Sequence, residues 1–144
     1  MKIPYFKQET CWTCGAACIR MILASIGIKK TEKQIIRLLK TNKIKGTWHK
    51  YIPELAEKYK LDYIIERNGK ISDLRRYSKR QWIVVVCFTY EGESHYSIIK
   101  KINWHSIYLL DPACCPKHRY YIPKFEKIWK DSEENKWFAA IKKA

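Results

Sequence analysis

The run Trp82-Ile83-Val84-Val85-Val86-Cys87-Phe88 constrains the fold more than any other segment. It is apolar throughout, rich in β-branched residues and free of polar alternation, which describes a strand covered on both faces. It is also the longest unbroken apolar stretch, far short of the roughly 20 residues that a spanning helix needs. Strand signals continue on its C-terminal side. Tyr90 to Ser94 contains Gly92 and reads as a loop, His95 to Ile102 as the next strand, and Asn103-Trp104-His105 as a tight turn into a strand Ser106 to Leu110. Arg119 to Ile122, a helix from Lys124 to Lys130 and a strand Lys136 to Ile141 complete the series.

The N-terminal half has the other periodicity. A helix opens at Cys14, carries Ala17, Met21 and Ala24 at helical spacing, and ends at Gly27 as its cap. Thr31-Glu32-Lys33-Gln34 has capping-box form before Ile35, Ile36, Leu38 and Leu39. Gly46-Thr47 leads to an apolar stripe of Trp48, Tyr51, Ile52, Leu55, Ala56 and Tyr59, in which Pro53 delays the regular helix to Tyr51–Pro53. Asp62 to Arg67 is a short strand, and Ser72 to Tyr77 a brief helix. Helices first and strands later predict an α+β protein, with N-terminal helices packed on a C-terminal antiparallel sheet.

At 144 residues and 47% hydrophobic content, with no repeat or linker, positions 1–144 are expected to form one domain with a real core. Met1 to Lys7 is too short and broken for a secretory signal, so a cytoplasmic chain with reduced thiols is expected from its six cysteines. A formal charge of +15 favours an acidic partner such as a peptide, nucleic acid or anionic lipid without choosing among them. No nucleic-acid module is recognisable and most aromatics lie at core periodicity, which disfavours that partner and favours an acidic peptide.

The chemistry gathers on four residues. Cys14 stands where a helix begins, facing unpaired backbone N–H groups and the positive end of the helix dipole, which favours a thiolate. His95 opens one apolar strand and Asp111 closes the next. A cysteine nucleophile needs a base, a group to orient that base, and donors for the oxyanion of the tetrahedral intermediate. His95 suits the first role and Asp111 the second, while the Gln8 amide and the Cys14 N–H suit the third. Gly15, Ala16 and Ala17 are small enough for a substrate backbone to approach the helix start.

These residues resemble a family. Gln8, five residues, then Cys14-Gly15-Ala16-Ala17 running to Leu23 is similar to the opening of the papain-like cysteine peptidases that process double-glycine leader peptides. Gly46-Thr47, the strand Trp82 to Phe88, His95-Tyr96-Ser97-Ile98-Ile99, Asp111-Pro112, and Phe125 with Trp129 continue the likeness over essentially the whole chain. The resemblance implies Cys14 as nucleophile, His95 as base, Asp111 as its orienter and Gln8 as oxyanion donor, with no cofactor. Thr13 departs from the aspartate usual before that cysteine. Members are commonly fused to an exporter, and the resemblance implies a separate exporter partner for a free-standing peptidase. A thiol acyltransferase or isopeptidase on the same fold is the nearest alternative.

The remaining cysteines and histidines leave other readings open. Cys11-Trp12-Thr13-Cys14 has redox or half-zinc spacing, and Cys114, Cys115 and His118 offer the ligands to complete a zinc site. That arrangement would consume the nucleophile and make the chain a zinc-stabilised basic binding module. A disulfide between Cys11 and Cys14, or between Cys11 and Cys114 or Cys115, is a milder option. Cys18 and Cys87 read as core thiols, and His49, His105 and His118 as residues without a special role.

Overall fold

The computed structural model describes residues 2–144. Three helices come first, α1 (Cys14–Ser25), α2 (Glu32–Leu39) and α3 (Tyr51–Lys58). After them come β1 (Leu61–Glu66), α4 (Ile71–Ser78), β2 (Ile83–Tyr90), β3 (Glu93–Ile102) and β4 (Ser106–Leu110). The chain then runs through β5 (His118–Tyr121), α5 (Ile122–Ile128) and β6 (Phe138–Lys143). The strands join into a six-stranded sheet in the order β1-β6-β2-β3-β4-β5. Every pairing in it is antiparallel.

The local signals explain the element ends. Thr31 accepts the Gln34 N–H while the Gln34 side chain accepts the Thr31 N–H, the reciprocal box expected there. Gly27 adopts φ +90° after α1, a conformation that costs glycine nothing. α3 starts at Tyr51, so Pro53 falls in its first turn, where a missing N–H is harmless. One expectation fails: Tyr90 to Ser94 is not a loop. β2 extends to Tyr90 and β3 begins at Glu93, joined by Glu91-Gly92 alone. Both turn residues have positive φ, which matches the strand twist and permits a two-residue hairpin.

The run at β2 is buried because each face has its own cover. Val85 and Cys87 face α1, α2 and α3, together with Tyr96, Ile98 and Ala139. Val84, Val86 and Phe88 face the other way, against Leu74 of α4 and Phe125 of α5. The expectation of helices on one side therefore gains a second helical layer. Phe88, Phe125 and Trp129 are fully buried there, and such side chains contribute about 1.5–3 kcal/mol each. This two-sided packing holds the ends of β3 and β4 in place against the start of α1.

Candidate active site

Cys14 is the first residue of α1 and is partly exposed. No side chain caps the helix and no acid lies in its first turn. The residue before it, Thr13, is fully buried and turned backwards, donating to the Thr10 carbonyl at 3.1 Å and accepting the Thr10 N–H at 3.1 Å. The first amides of α1 thus keep no side-chain acceptor of their own, the condition under which a helix start can receive an anion.

The segment leading to Cys14 is fastened at three points. The Tyr5 hydroxyl donates to the Asp111 carbonyl at 2.5 Å, and the Gln8 N–H donates to the Pro112 carbonyl at 2.8 Å. The Glu9 N–H donates to both oxygens of Glu32, at 3.0 and 3.2 Å. Burial raises the Glu32 carboxyl pKa, opposed by its hydrogen bond from Glu9. The Gln8 side chain donates from Nε2 to the Thr10 carbonyl at 2.8 Å, while its Oε1 is buried without a partner.

Gly15 has a different use from the one expected. A Cβ there would lie 2.6 Å from Thr47 Oγ1 and 3.1 Å from Tyr96 Cδ2. Gly15, Ala16 and Ala17 are all buried, so their smallness serves close packing of α1 rather than approach of a substrate.

His95 lies near the start of β3, opposite Phe88 of β2, whose ring meets it edge-on at 5.5 Å. Its Nε2–H donates to Asp111 Oδ1 at 2.6 Å, which leaves Nδ1 for a second partner. Burial works against the imidazolium, but hydrogen bonding to Asp111 and Cys14, with their negative charges, outweighs it and pushes the His95 pKa up to about 9. Asp111 itself is fully buried. Burial would favour its neutral acid, but the hydrogen bonds and charge of His95, with support from His118 and the Ala113 N–H, hold its pKa below the usual carboxylate range.

His118 was expected to have no special role, yet it donates from Nδ1 to Asp111 Oδ2 at 2.6 Å. One buried carboxylate therefore spans two imidazoles, one on each oxygen. Sequence spacing gave no sign of this, because a turn closed by reciprocal Asp111–Cys115 backbone bonds is what returns His118 to Asp111. Within that turn Cys114 and Cys115 are joined to each other.

Cys11, Cys14, Cys18 and Cys87 are free. The proposed disulfides of Cys11 with Cys14, Cys114 or Cys115 are therefore not formed, and His118 is committed to Asp111 rather than to a zinc set. Among the described residues, the group able to hold a metal is instead His49, Cys87 and Asp131. His49 is not a residue without a role either. It is 5% exposed, stacks on Trp137 at 4.1 Å and bonds Asp131 at 3.1 Å. A cavity of about 530 Å³ reaches Cys14 and is bounded by Trp12, Thr47, His49, Cys87 and Asp131; His95 and Asp111 do not line it.

The sequence model of the Peptidase C39 family matches residues 2–132. None of the curated proteins matches the chain. Among solved structures, the peptidase domain of ComA from Streptococcus, described as a bifunctional ABC transporter involved in quorum sensing, superposes with a TM-score of 0.82 at 17% identity, covering 99% of this chain and 100% of that one. A double glycine motif protease from an AMS/PCAT transporter, solved with a leader peptide, has a TM-score of 0.78 at 17% identity, covering 99% of this chain and 93% of that one. A C39-like peptidase from Bacillus anthracis has a TM-score of 0.80 at 16% identity, covering 99% and 96%. At these identities the likeness is one of fold, and it agrees with the family match. No helix among the described residues is long and apolar enough to cross a membrane. The chain belongs to the Peptidase C39 family and is a papain-like cysteine peptidase.

Proposed function

We propose that residues 1–144 act as one peptidase unit in which Cys14 is the nucleophile, His95 its acid–base partner, Asp111 the orienter, and the Gln8 amide with the Cys14 N–H the oxyanion donors. The observation that carries this reading is the His95 ring bonded through Nε2 to buried Asp111, with its pKa raised to about 9 by Asp111 and the nearby Cys14. The imidazolium that stabilises a thiolate is then present through neutral pH. Cys14 Sγ attacks the scissile carbonyl, and the oxyanion collapses with cleavage of the C–N bond as His95 passes its proton to the leaving amine. Water, deprotonated by His95, then attacks the acyl-enzyme; the C–S bond breaks and the thiolate–imidazolium pair returns.

The substrate is a leader or precursor peptide cut after small residues such as a glycine pair. Support comes from the structural neighbour described as a double glycine motif protease. The +15 charge favours an acidic peptide, so cleavage weakens as salt rises. A separate exporter on the cytoplasmic side of a membrane is the partner that would remove the product.

Alkylation with mass mapping tests the chemistry. Cys14 is modified much faster than exposed Cys11 at neutral pH, and that advantage disappears in His95→Ala. Equal rates at the two thiols overturn the assignment. Paired peptides with Gly-Gly or bulkier residues before the cut test the specificity, and equal cleavage of both defeats it.

A further inference from the structure

The wall of the cavity that reaches Cys14 contains a second cysteine, histidine and aspartate, none of which the proposed peptide cleavage uses. His49 precedes α3, Cys87 lies in β2, and Asp131 follows α5, so only the folded chain brings them together. His49 is 5% and Cys87 1% exposed, and the Asp131 side chain is 1% exposed. One ligand atom from each lies within 4.8 Å of the other two.

Neighbours hold the three donors in place. The Tyr96 hydroxyl donates to the Thr47 carbonyl at 2.9 Å and lies 2.5 Å from the His49 Nδ1. The His49 Nε2 lies 3.1 Å from both oxygens of Asp131. Imidazole nitrogen, sulfur and carboxylate oxygen thus meet in a site nearly closed to water, on the wall of the cavity that reaches Cys14. Sulfur, imidazole nitrogen and carboxylate oxygen together are donors of the zinc type.

We propose that His49 Nε2, Cys87 Sγ and one Asp131 oxygen bind a divalent transition-metal ion of the zinc class, with its fourth position open to the cavity. Zinc holds such ligands at about 2.0–2.3 Å, so the present donors need to close by about an ångström. On binding, the Cys87 S–H bond breaks, an S–metal bond forms, and the proton leaves to solvent. The His49 Nδ1 stays against the Tyr96 hydroxyl, and that hydrogen bond with the Trp137 stack fixes the ring plane. One thiolate and one carboxylate balance the two positive charges, so the buried site becomes electrically neutral. Because the ion projects into the space beside Cys14, its occupancy inhibits peptide cleavage.

The experiment uses the full chain carrying Cys14→Ala, so that the proposed nucleophile cannot ligate. Titration with cobalt(II) is expected to saturate at one ion per chain, with a thiolate-to-cobalt charge-transfer band. That band disappears in Cys87→Ser, and cobalt affinity falls by at least about tenfold in Asp131→Asn and in His49→Gln. If Cys87→Ser does not fold, the Asp131→Asn affinity decides, since that residue lies outside the sheet. Absence of binding, or unchanged affinity in Asp131→Asn, overturns the proposal. A band that survives in folded Cys87→Ser overturns it as well, because the thiolate then belongs to Cys11 or another thiol. In the wild-type chain, zinc inhibits cleavage, a chelator restores it, and Asp131→Asn blunts the inhibition. Only this activity arm rests on the proposed peptidase reading; cobalt binding to a chain that cuts no peptide would sink that reading and leave the site standing.

Discussion

Two histidine–aspartate pairs sit in this molecule in different company. At His95–Asp111 the carboxylate is oversupplied with donors: an imidazole on each oxygen and the Ala113 N–H in addition. At His49–Asp131 one ring nitrogen faces both carboxylate oxygens at 3.1 Å, and the Glu133 and Glu134 N–H groups reach one of them. Their cysteines differ in the same way. Cys14 stands partly exposed at an uncapped helix start, whereas Cys87 lies in mid-strand with its thiol pKa pushed well up by burial. The same three residue types thus make a site suited to proton transfer in one place and a site suited to a cation in the other. The difference lies in the exposure of the cysteine and in how the carboxylate is shared.

Paired substitutions put the comparison under the most strain. Cys14→Ala is expected to lower peptide cleavage by about 10⁴-fold or more, whereas Cys87→Ala keeps most of it. Comparable losses, measured as kcat/KM on one glycine-pair peptide, would break the distinction. Asp111→Asn comes next, with a drop of about 10²–10⁴-fold in kcat because His95 loses its orienting acceptor. Asp131→Asn, assayed free of metal, changes kcat by less than about threefold.

The pH response sharpens the contrast further. His95 has a folded pKa raised to about 9 from an ordinary 6.5. Its contribution to stability is therefore fully present below pH 6.5 and is lost as pH rises through about 9. Cleavage should fall over that same alkaline window, as the imidazolium that protonates the leaving amine disappears. A kcat profile that stays flat to pH 10 would remove His95 from that role, and in Asp111→Asn the alkaline limb should move to lower pH.

A smaller loss than at Asp111 is expected at His118. His118→Leu should lower kcat by about three- to tenfold with little change in KM, because His118 positions Asp111 without touching the substrate. The alkaline limb should shift as well, and His118→Asn, which can still donate an N–H, should recover part of the loss. An unchanged pH profile would leave His118 a packing residue only.

What the sequence revealed follows the range over which each interaction acts. The β2 run, the Thr31 box and the Gly27 stop act within a few residues, so periodicity and turn chemistry exposed them. His95 and Asp111 stood out because each marks an end of an apolar strand, and antiparallel pairing of β3 with β4 sets those ends side by side. His49 gave no such signal: Asp131 is 82 positions away and Tyr96 47, and no pattern along the chain links them. The loop expected at Tyr90 to Ser94 failed for a local reason. Gly92 was read as a break, although Glu91 and Gly92 together make the tightest hairpin available.

The sheet order has a consequence for the time at which activity can appear. β6 is made last, yet it is inserted between β1 and β2 rather than added at an edge. Until Phe138 to Lys143 have left the ribosome, β1 has no partner and β2 has only one. A growing chain therefore holds Cys14, His95 and Asp111 long before it can fix them in one frame. Biosynthesis itself works as a delay: the sheet that sets these residues side by side is complete only once β6 is in place.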